Sequence, residues 1–134
     1  AGGYLTCDRV NIQISSIGTY TVIQESLTSG NAFNDGFNNA WRIDCTTADA
    51  SPSASEFLRL TYRMETQDLS CFKKGTSNAQ PYTLGFWVKS NKTGTAQVNL
   101  YDVINNRLVG DTYTINTANT WEYKITIGLL LVYN

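Results

Sequence analysis

The chain has 134 residues, of which 42% are hydrophobic and 16% are charged, and its formal net charge is −1. These values fit one globular domain, 1–134, and a start at Ala1 rather than Met suggests a fragment of a longer protein. Ten Lys and Arg residues against eleven Asp and Glu residues leave no basic excess for a phosphate backbone, which argues against nucleic-acid partners. The longest apolar run, 129–133, is far shorter than the roughly 20 residues that span a bilayer, so no membrane partner is predicted.

Histidine is absent, which removes the commonest general base and the commonest ligand for transition metals. Catalytic sites of the Ser-His-Asp, Cys-His and HExxH types are therefore excluded. No spacing of Asp and Glu residues singles out a carboxylate pair, so the chain is predicted not to be an enzyme. The three cysteines, Cys7, Cys45 and Cys71, form no CxxC motif. They are interpreted as buried free thiols, with one disulfide plus one free thiol as the alternative.

Segments of alternating apolar and polar residues, separated by clusters of Gly, Asn and Ser, predict β-strands along the chain. The first is Val10–Ile14, with Thr19–Glu25 as its antiparallel partner. A long surface loop is predicted over 26–39, where Phe33 and Phe37 are the only large aromatic anchors. These two side chains would either contact a partner subunit or tuck under the loop and hold it to the domain.

Two further strands are predicted at Trp41–Thr46 and Phe57–Glu65, with a loop of small polar residues between them. One helical turn is expected after the second strand. Asp68 would cap the backbone N–H groups of 69–72, and Gly75 would end the helix in the left-handed conformation.

The last third of the chain predicts four strands, with turn residues at 91–94 and 105–106 that would connect them as a meander. The strands are Tyr82–Ser90, Thr95–Tyr101, Arg107–Ile115 and Trp121–Ile127. The whole pattern predicts an all-β fold, an antiparallel β-sandwich of jelly-roll type with about eight strands and one short helical turn.

Three segments carry a resemblance to known proteins: WRIDCTTADASPSASEFLRLTYRMETQDL at 41–69, YTLGFWVKSNKTGTAQVNLYD at 82–102 and NTANTWEYKITI at 116–127. Together, over about residues 8–127, they resemble a module of virion structural and tail-fibre proteins of marine tailed bacteriophages. More loosely, the FWVKS strand, the turn after it and the TWEYKITI strand are similar to carbohydrate-binding modules of the jelly-roll type.

The first resemblance implies a non-enzymatic virion structural module, in a fibre or decorating the capsid, that assembles with other virion subunits as a homo-oligomer. It also implies recognition of host-surface glycans and location in the extracellular virion particle. One alternative is a carbohydrate-binding module of a secreted polysaccharide-degrading enzyme. Another is a self-assembling surface protein that uses its C-terminal strand.

The chain departs from the phage pattern after TWEYKITI, where such proteins continue with a Gly-Asp turn and further strands. Here an apolar segment follows instead, and on an open sheet edge it would pair with a second chain. The predicted subunit contact therefore includes, besides Phe33 and Phe37, the residues Leu129, Leu130, Leu131, Val132 and Tyr133.

Sugar binding needs flat aromatic rings flanked by planar amide or charged groups that bond the sugar hydroxyls. The predicted glycan-binding residues are Trp87, Gln97, Asn99, Tyr101 and Arg107. All but Arg107 fall on the strand faces opposite the predicted core. The alternative is that Trp87 and Trp121 fill the core or a subunit contact.

No cofactor and no metal site is predicted. A structural calcium ion, which such jelly rolls often hold, would need six to eight oxygen ligands. The aspartates near predicted loops form no DxDxDG run and are interpreted as solvated turn residues: Asp35, Asp44, Asp49 and Asp111.

Overall fold

A computed structural model describes residues 2–3 and 9–127. Residue 127 is described by its backbone alone. Strands dominate and every strand pair among them is antiparallel, which confirms the predicted all-β class. The strands are β1 (Gly2–Gly3), β2 (Val10–Ser15), β3 (Gly18–Ser26), β4 (Asn39–Ala48), β5 (Phe57–Tyr62), β6 (Thr83–Val88), β7 (Gly94–Asp102), β8 (Arg107–Ile115) and β9 (Glu122–Ile127). The helical segments are α1 (Asn31–Asn34), α2 (Thr66–Leu69) and a 3-10 turn at Ser70–Phe72. The jelly-roll connection stays a prediction.

The described residues divide into two compact units, one formed by residues 2–3, 9–29 and 33–65 and the other by 30–32 and 66–127. In the first unit, β1, β2 and β5 form a sheet in that order, and β3 pairs with β4. In the second unit, β6 pairs with β9 and β7 pairs with β8. In each unit, therefore, two consecutive strands pair with each other, and the strand before them pairs with the strand after them. We call β3–β4 and β7–β8 the inner pairs, and β2–β5 and β6–β9 the outer pairs.

The predicted pairing of Val10–Ile14 with Thr19–Glu25 is wrong, because β2 pairs with β5 and β3 pairs with β4. Ser16 and Gly18 both have positive φ and redirect the chain between β2 and β3. β3 has nine residues and β4 has ten, whereas β2 has only six. Pairing with β4 therefore satisfies more backbone groups of β3 than pairing with β2 would.

The segment predicted as a loop over 26–39 contains the helical turn α1. The N–H of Leu27 donates to the carbonyl of Asn38 (2.8 Å), which extends the β3–β4 ladder into the connection. The N–H of Gly36 donates to the carbonyl of Phe33 (2.9 Å) and closes the helical turn. The connection is therefore a hydrogen-bonded structure and not an irregular loop.

The predicted Asp68 cap is wrong. The helical segment begins at Thr66, so Asp68 lies in the first turn of α2 instead of preceding it. The 3-10 turn that follows ends at Lys73 in the left-handed conformation, and Gly75 also has positive φ. The segment therefore starts earlier than the capping pattern indicates.

The predicted meander is also wrong, since β6 pairs with β9 and not with β7. The hairpin between β7 and β8 does form, with Asn106 at positive φ in its turn. The N–H of Asn119 donates to the carbonyl of Ser90 (2.6 Å). This bond ties the turn before β9 to the end of β6 and so brings β9 alongside β6.

Aromatic contacts pack the second unit. Phe86 of β6 and Tyr113 of β8 meet edge to face with ring centroids 5.0 Å apart. Ile115 and Thr126 are buried. Gly30 lies against the indole of Trp121, where an added Cβ would be 3.2 Å from Cδ1. Trp121 therefore packs against the backbone of Gly30 and is half-buried.

Two of the cysteines differ from the prediction of buried thiols. Cys45 and Cys71 are both free and exposed. Cys45 lies opposite Tyr20 beside the β-bulge of the β3–β4 pair, and Cys71 lies in the short 3-10 turn. Neither place offers an inward-facing position on a paired strand. Cys7 lies outside the described residues.

Glu122, the first residue of β9, organises the turn between β8 and β9. Its carboxylate accepts hydrogen bonds from the N–H groups of Thr117 (2.7 Å) and Asn116 (2.9 Å). The Lys124 ammonium donates to Glu122 at 2.5 Å, and both side chains are largely shielded from solvent. The Lys124 bond, then the backbone bond from Thr117, lowers the pKa of Glu122 to about 2.

We expect Glu122→Gln to lower the free energy of unfolding at pH 7, because the amide loses the charge-assisted bonds. The pKa of the carboxyl is lower in the folded than in the unfolded chain. Its stabilisation is therefore complete above about pH 4.5 and is lost as the pH falls towards 2. Urea unfolding followed by Trp fluorescence should show a deficit at pH 7 that nearly disappears at pH 2. An equal deficit at both pH values would contradict this account, and Asp35→Asn, an exposed loop acid, serves as the control.

We expect Gly18→Ala to destabilise the fold by more than about 1 kcal/mol. An added Cβ would lie 2.4 Å from the carbonyl oxygen of Thr47, at a φ of 116°. Gly36→Ala is a matched control, since Gly36 has a φ of 95° but no atom within 4 Å of an added Cβ. The clash predicts a larger drop in melting temperature for Gly18→Ala than for the control. Equal drops would show that backbone strain alone accounts for the loss.

Candidate glycan-binding surface

One face of the β7–β8 hairpin is exposed and almost free of charge. Along both strands exposed residues alternate mainly with half-buried ones, as expected for a sheet with one solvent-facing side. In the observed register the exposed residues of the two strands face each other in pairs. We call this face the amide strip; it consists of Thr95, Gln97, Asn99, Tyr101, Leu108, Gly110, Thr112 and Thr114.

Two amide side chains lie across Gly110 at the middle of the strip. A Cβ added to Gly110 would be 2.5 Å from Oδ1 of Asn99 and 2.7 Å from Nε2 of Gln97. The missing side chain therefore makes the room that both amides occupy. Within the part of the chain that the structure describes, no hydrogen bond uses either amide. Their donors and acceptors are available to a ligand.

Tyr101 supplies an aromatic ring at one end of the strip. Its side chain is 55% exposed. Its hydroxyl donates to Oδ1 of Asn106 at 2.8 Å, which restricts the orientation of the ring. A ring held in this way offers the flat apolar surface that a pyranose face requires.

The strip contains no Asp, Glu, Lys or Arg side chain. Asp102, Arg107 and Asp111 occupy register positions of the opposite face. The strip extends over seven residues from Thr95 to Tyr101, and these six steps span about 20 Å at the usual rise of a strand. Amides, hydroxyls and one ring along this length suit a neutral, extended glycan.

The predicted glycan-binding residues fall into three places. Gln97, Asn99 and Tyr101 lie together on the strip. Trp87 lies on β6, where its ring is 5.3 Å from that of Tyr123. Arg107 pairs in register with Asp102 at the end of the hairpin. The alternation of residues along β8 is a sequence signal that Arg107 faces away from the strip. A glycine inside a strand often indicates a close approach of other groups, and this signal could have identified Gly110 as part of the site.

The predicted subunit-contact residues are only partly described. Phe37 is exposed, and Phe33 lies in α1 and is half-buried. Leu129, Leu130, Leu131, Val132 and Tyr133 lie outside the described residues. The prediction of a contact through the C-terminal segment therefore stays a prediction.

Three of the aspartates considered for calcium bond to the protein itself. Asp44 bonds Arg42 at 2.9 Å, Asp49 accepts from the N–H of Ser51 and Asp111 accepts from the N–H of Thr112. Residues 2–3 and 9–127 contain no group of three or more Cys, Asp or Glu side chains placed to hold a metal ion. In the same residues no helix has the length and apolarity to cross a membrane.

Comparison of the chain with protein-family models, with curated proteins and with solved structures finds no match. The resemblance to phage virion proteins and the looser similarity to carbohydrate-binding modules therefore remain hypotheses. What the structure adds is the class of molecule, an all-β protein with an exposed amide strip.

Proposed function

We propose that this chain is a non-enzymatic structural module of a tailed-phage virion that assembles with other virion subunits and recognises a neutral host-surface glycan. The amide strip is the observation that supports this function. It combines two amides that bond no other side chain or backbone group of the described residues, a ring of restricted orientation and several hydroxyls on one open face. The phage context comes from the sequence resemblance alone.

The chemistry of the strip favours binding over catalysis. Glycoside hydrolysis by the usual route needs two carboxyl groups on either side of the scissile bond. The two aspartates of the hairpin, Asp102 and Asp111, have register positions on the face opposite the strip. A sugar on the strip would therefore meet hydrogen-bonding groups and a ring, but neither of these acids.

The same strip would serve a carbohydrate-binding module of a secreted enzyme, which is the second candidate function. The two candidates differ in assembly, since a module tethered to an enzyme can bind its polysaccharide as a monomer. Solution mass by light scattering separates them, because a virion structural module is expected to form a multimer.

We expect the full chain to bind at least one neutral glycan on a glycan array, and to bind alginate, an acidic polysaccharide, more weakly. Asn99→Ala and Tyr101→Ala should each lower the affinity about tenfold, since a lost hydrogen bond or ring contact contributes roughly 1.4 kcal/mol. Tyr101→Phe keeps the ring but loses the bond to Asn106 that restricts it, so its affinity should lie between those of Tyr101→Ala and the wild type.

Gln24→Ala is the matched control for Gln97→Ala, because Gln24 is an exposed amide on β3, outside the strip. Gln97→Ala should weaken binding while Gln24→Ala leaves it unchanged. Gly110→Ala should also weaken binding, since the added methyl displaces both amides. The proposal fails if no glycan binds, if only acidic glycans bind, or if the strip variants bind as well as the wild type.

A further inference from the structure

The chemistry of the amide strip changes along its length. At one end Thr95 and Thr114 lie opposite each other, and their hydroxyl oxygens are 3.3 Å apart. The two amide side chains follow in the middle. At the other end Tyr101 lies opposite Leu108, and these side chains are 55% and 60% exposed. We call these two residues the Tyr101–Leu108 pair. A ligand that fits the whole strip therefore needs an apolar group at this end.

The Tyr101–Leu108 pair offers an apolar surface of restricted shape. The hydroxyl of Tyr101 donates to Oδ1 of Asn106 at 2.8 Å, so its proton is not available to a ligand. The turn that carries Asn106 is held by Asp102, whose carboxylate accepts from the N–H (3.2 Å) and from Nδ2 (2.7 Å) of Asn105. The surface is therefore formed before a ligand arrives, which reduces the entropy lost on binding.

Available hydrogen-bonding groups lie next to this apolar surface. Asn99 precedes Tyr101 by two residues on the same strand face, about 7 Å along β7. The amides of Asn99 and Gln97 lie across Gly110 and bond no other side chain or backbone group of the described residues. An apolar contact and amides that both donate and accept are therefore available side by side, over a distance that one sugar ring with its substituents spans.

We propose that the sugar recognised by the strip is an N-acetylated amino sugar. Its acetamido group joins a methyl to a carbonyl acceptor and an N–H donor. The methyl packs on the Tyr101–Leu108 pair, and the carbonyl and N–H meet the amides of Asn99 and Gln97. This inference rests on the proposed function and names the class of ligand that the same strip takes.

Three other substituents fit the strip less well. A hydroxyl placed on the Tyr101–Leu108 pair would lose its hydration without gaining a partner, which is unfavourable. The ammonium of a deacetylated amino sugar would meet no Asp or Glu carboxylate on the strip. The methyl of a 6-deoxy sugar would cover the pair, but it brings no acceptor and donor in the same substituent. The acetamido group is uncharged and matches the apolar and the polar part of the strip together.

The first test compares two oligosaccharides of equal length and the same β-linkage, one of N-acetylglucosamine and one of glucose, which differ only at carbon 2. Isothermal titration calorimetry with the full chain should give an affinity about tenfold higher for the N-acetylated one, because a methyl contact and an amide hydrogen bond are gained. The deacetylated oligosaccharide of glucosamine should bind no better than that of glucose.

The second test changes the aliphatic member of the pair. Leu108→Thr keeps a residue that favours strands and removes the apolar contact. It should remove most of the preference for the N-acetylated oligosaccharide, whereas Leu108→Ile should keep it. Ile125→Thr is the matched control and should leave both affinities unchanged, since Ile125 on β9 is also 60% exposed and lies outside the strip. A changed ratio of two affinities does not follow from a general loss of folded protein, so this readout separates specificity from stability.

The proposal is overturned if no N-acetylated glycan binds more tightly than its counterpart with a hydroxyl at the same carbon, or if Leu108→Thr keeps the preference. A glycan array provides another arm. Tighter binding of 6-deoxy sugars than of N-acetylated sugars would assign the Tyr101–Leu108 pair to a methyl at carbon 6 and overturn the acetamido assignment. Binding of neutral glycans without this preference would overturn the inference and leave the proposed function standing, whereas absence of all glycan binding would overturn both.

Discussion

Antiparallel backbone pairing between strands that are distant in sequence is the constraint on which the rest of the structure depends. β6 pairs with β9 and β2 pairs with β5, and each of these outer pairs encloses an inner pair in sequence. Because ladder hydrogen bonds set the register, they also decide which alternate side chains face solvent. The β7–β8 register places Asn99 opposite Gly110 and Tyr101 opposite Leu108, and the amide strip follows from these pairs.

The β7–β8 hairpin has different chemistry along its exposed face and at its turn. The strip presents amides, hydroxyls and a ring, whereas the turn presents two exposed apolar side chains, Val103 and Ile104. Asn106 connects them, because it shapes the turn and also orients Tyr101 through the hydroxyl bond.

Local patterns in the sequence predicted most of the strands and failed where partners had to be chosen. The alternation from Arg107 to Ile115 predicted β8 with its observed bounds, and Asn105-Asn106 predicted the turn before it. Alternation says nothing about which strand lies alongside, so the hairpins expected for β2 with β3 and for β6 with β7 did not form. The bond from Asn119 to Ser90 is one reason, since it joins residues 29 positions apart.

The candidate site also depends partly on local sequence patterns and partly on which strands pair. The faces of Gln97, Asn99 and Tyr101 follow from the two-residue period of a strand, which is a property of the covalent chain. Trp87 shares that outward pattern, yet its ring contacts the tilted ring of Tyr123, because β9 and not β7 is its neighbour. The amides come together over Gly110 only because the register of two strands places a glycine opposite Asn99. Sequence alone therefore determined the class of fold, the exposed face of β7 and the absence of histidine chemistry, since these depend on local period and composition. Tertiary structure decided strand partners, register and the shape of the strip, because these depend on hydrogen bonds between residues far apart in the chain.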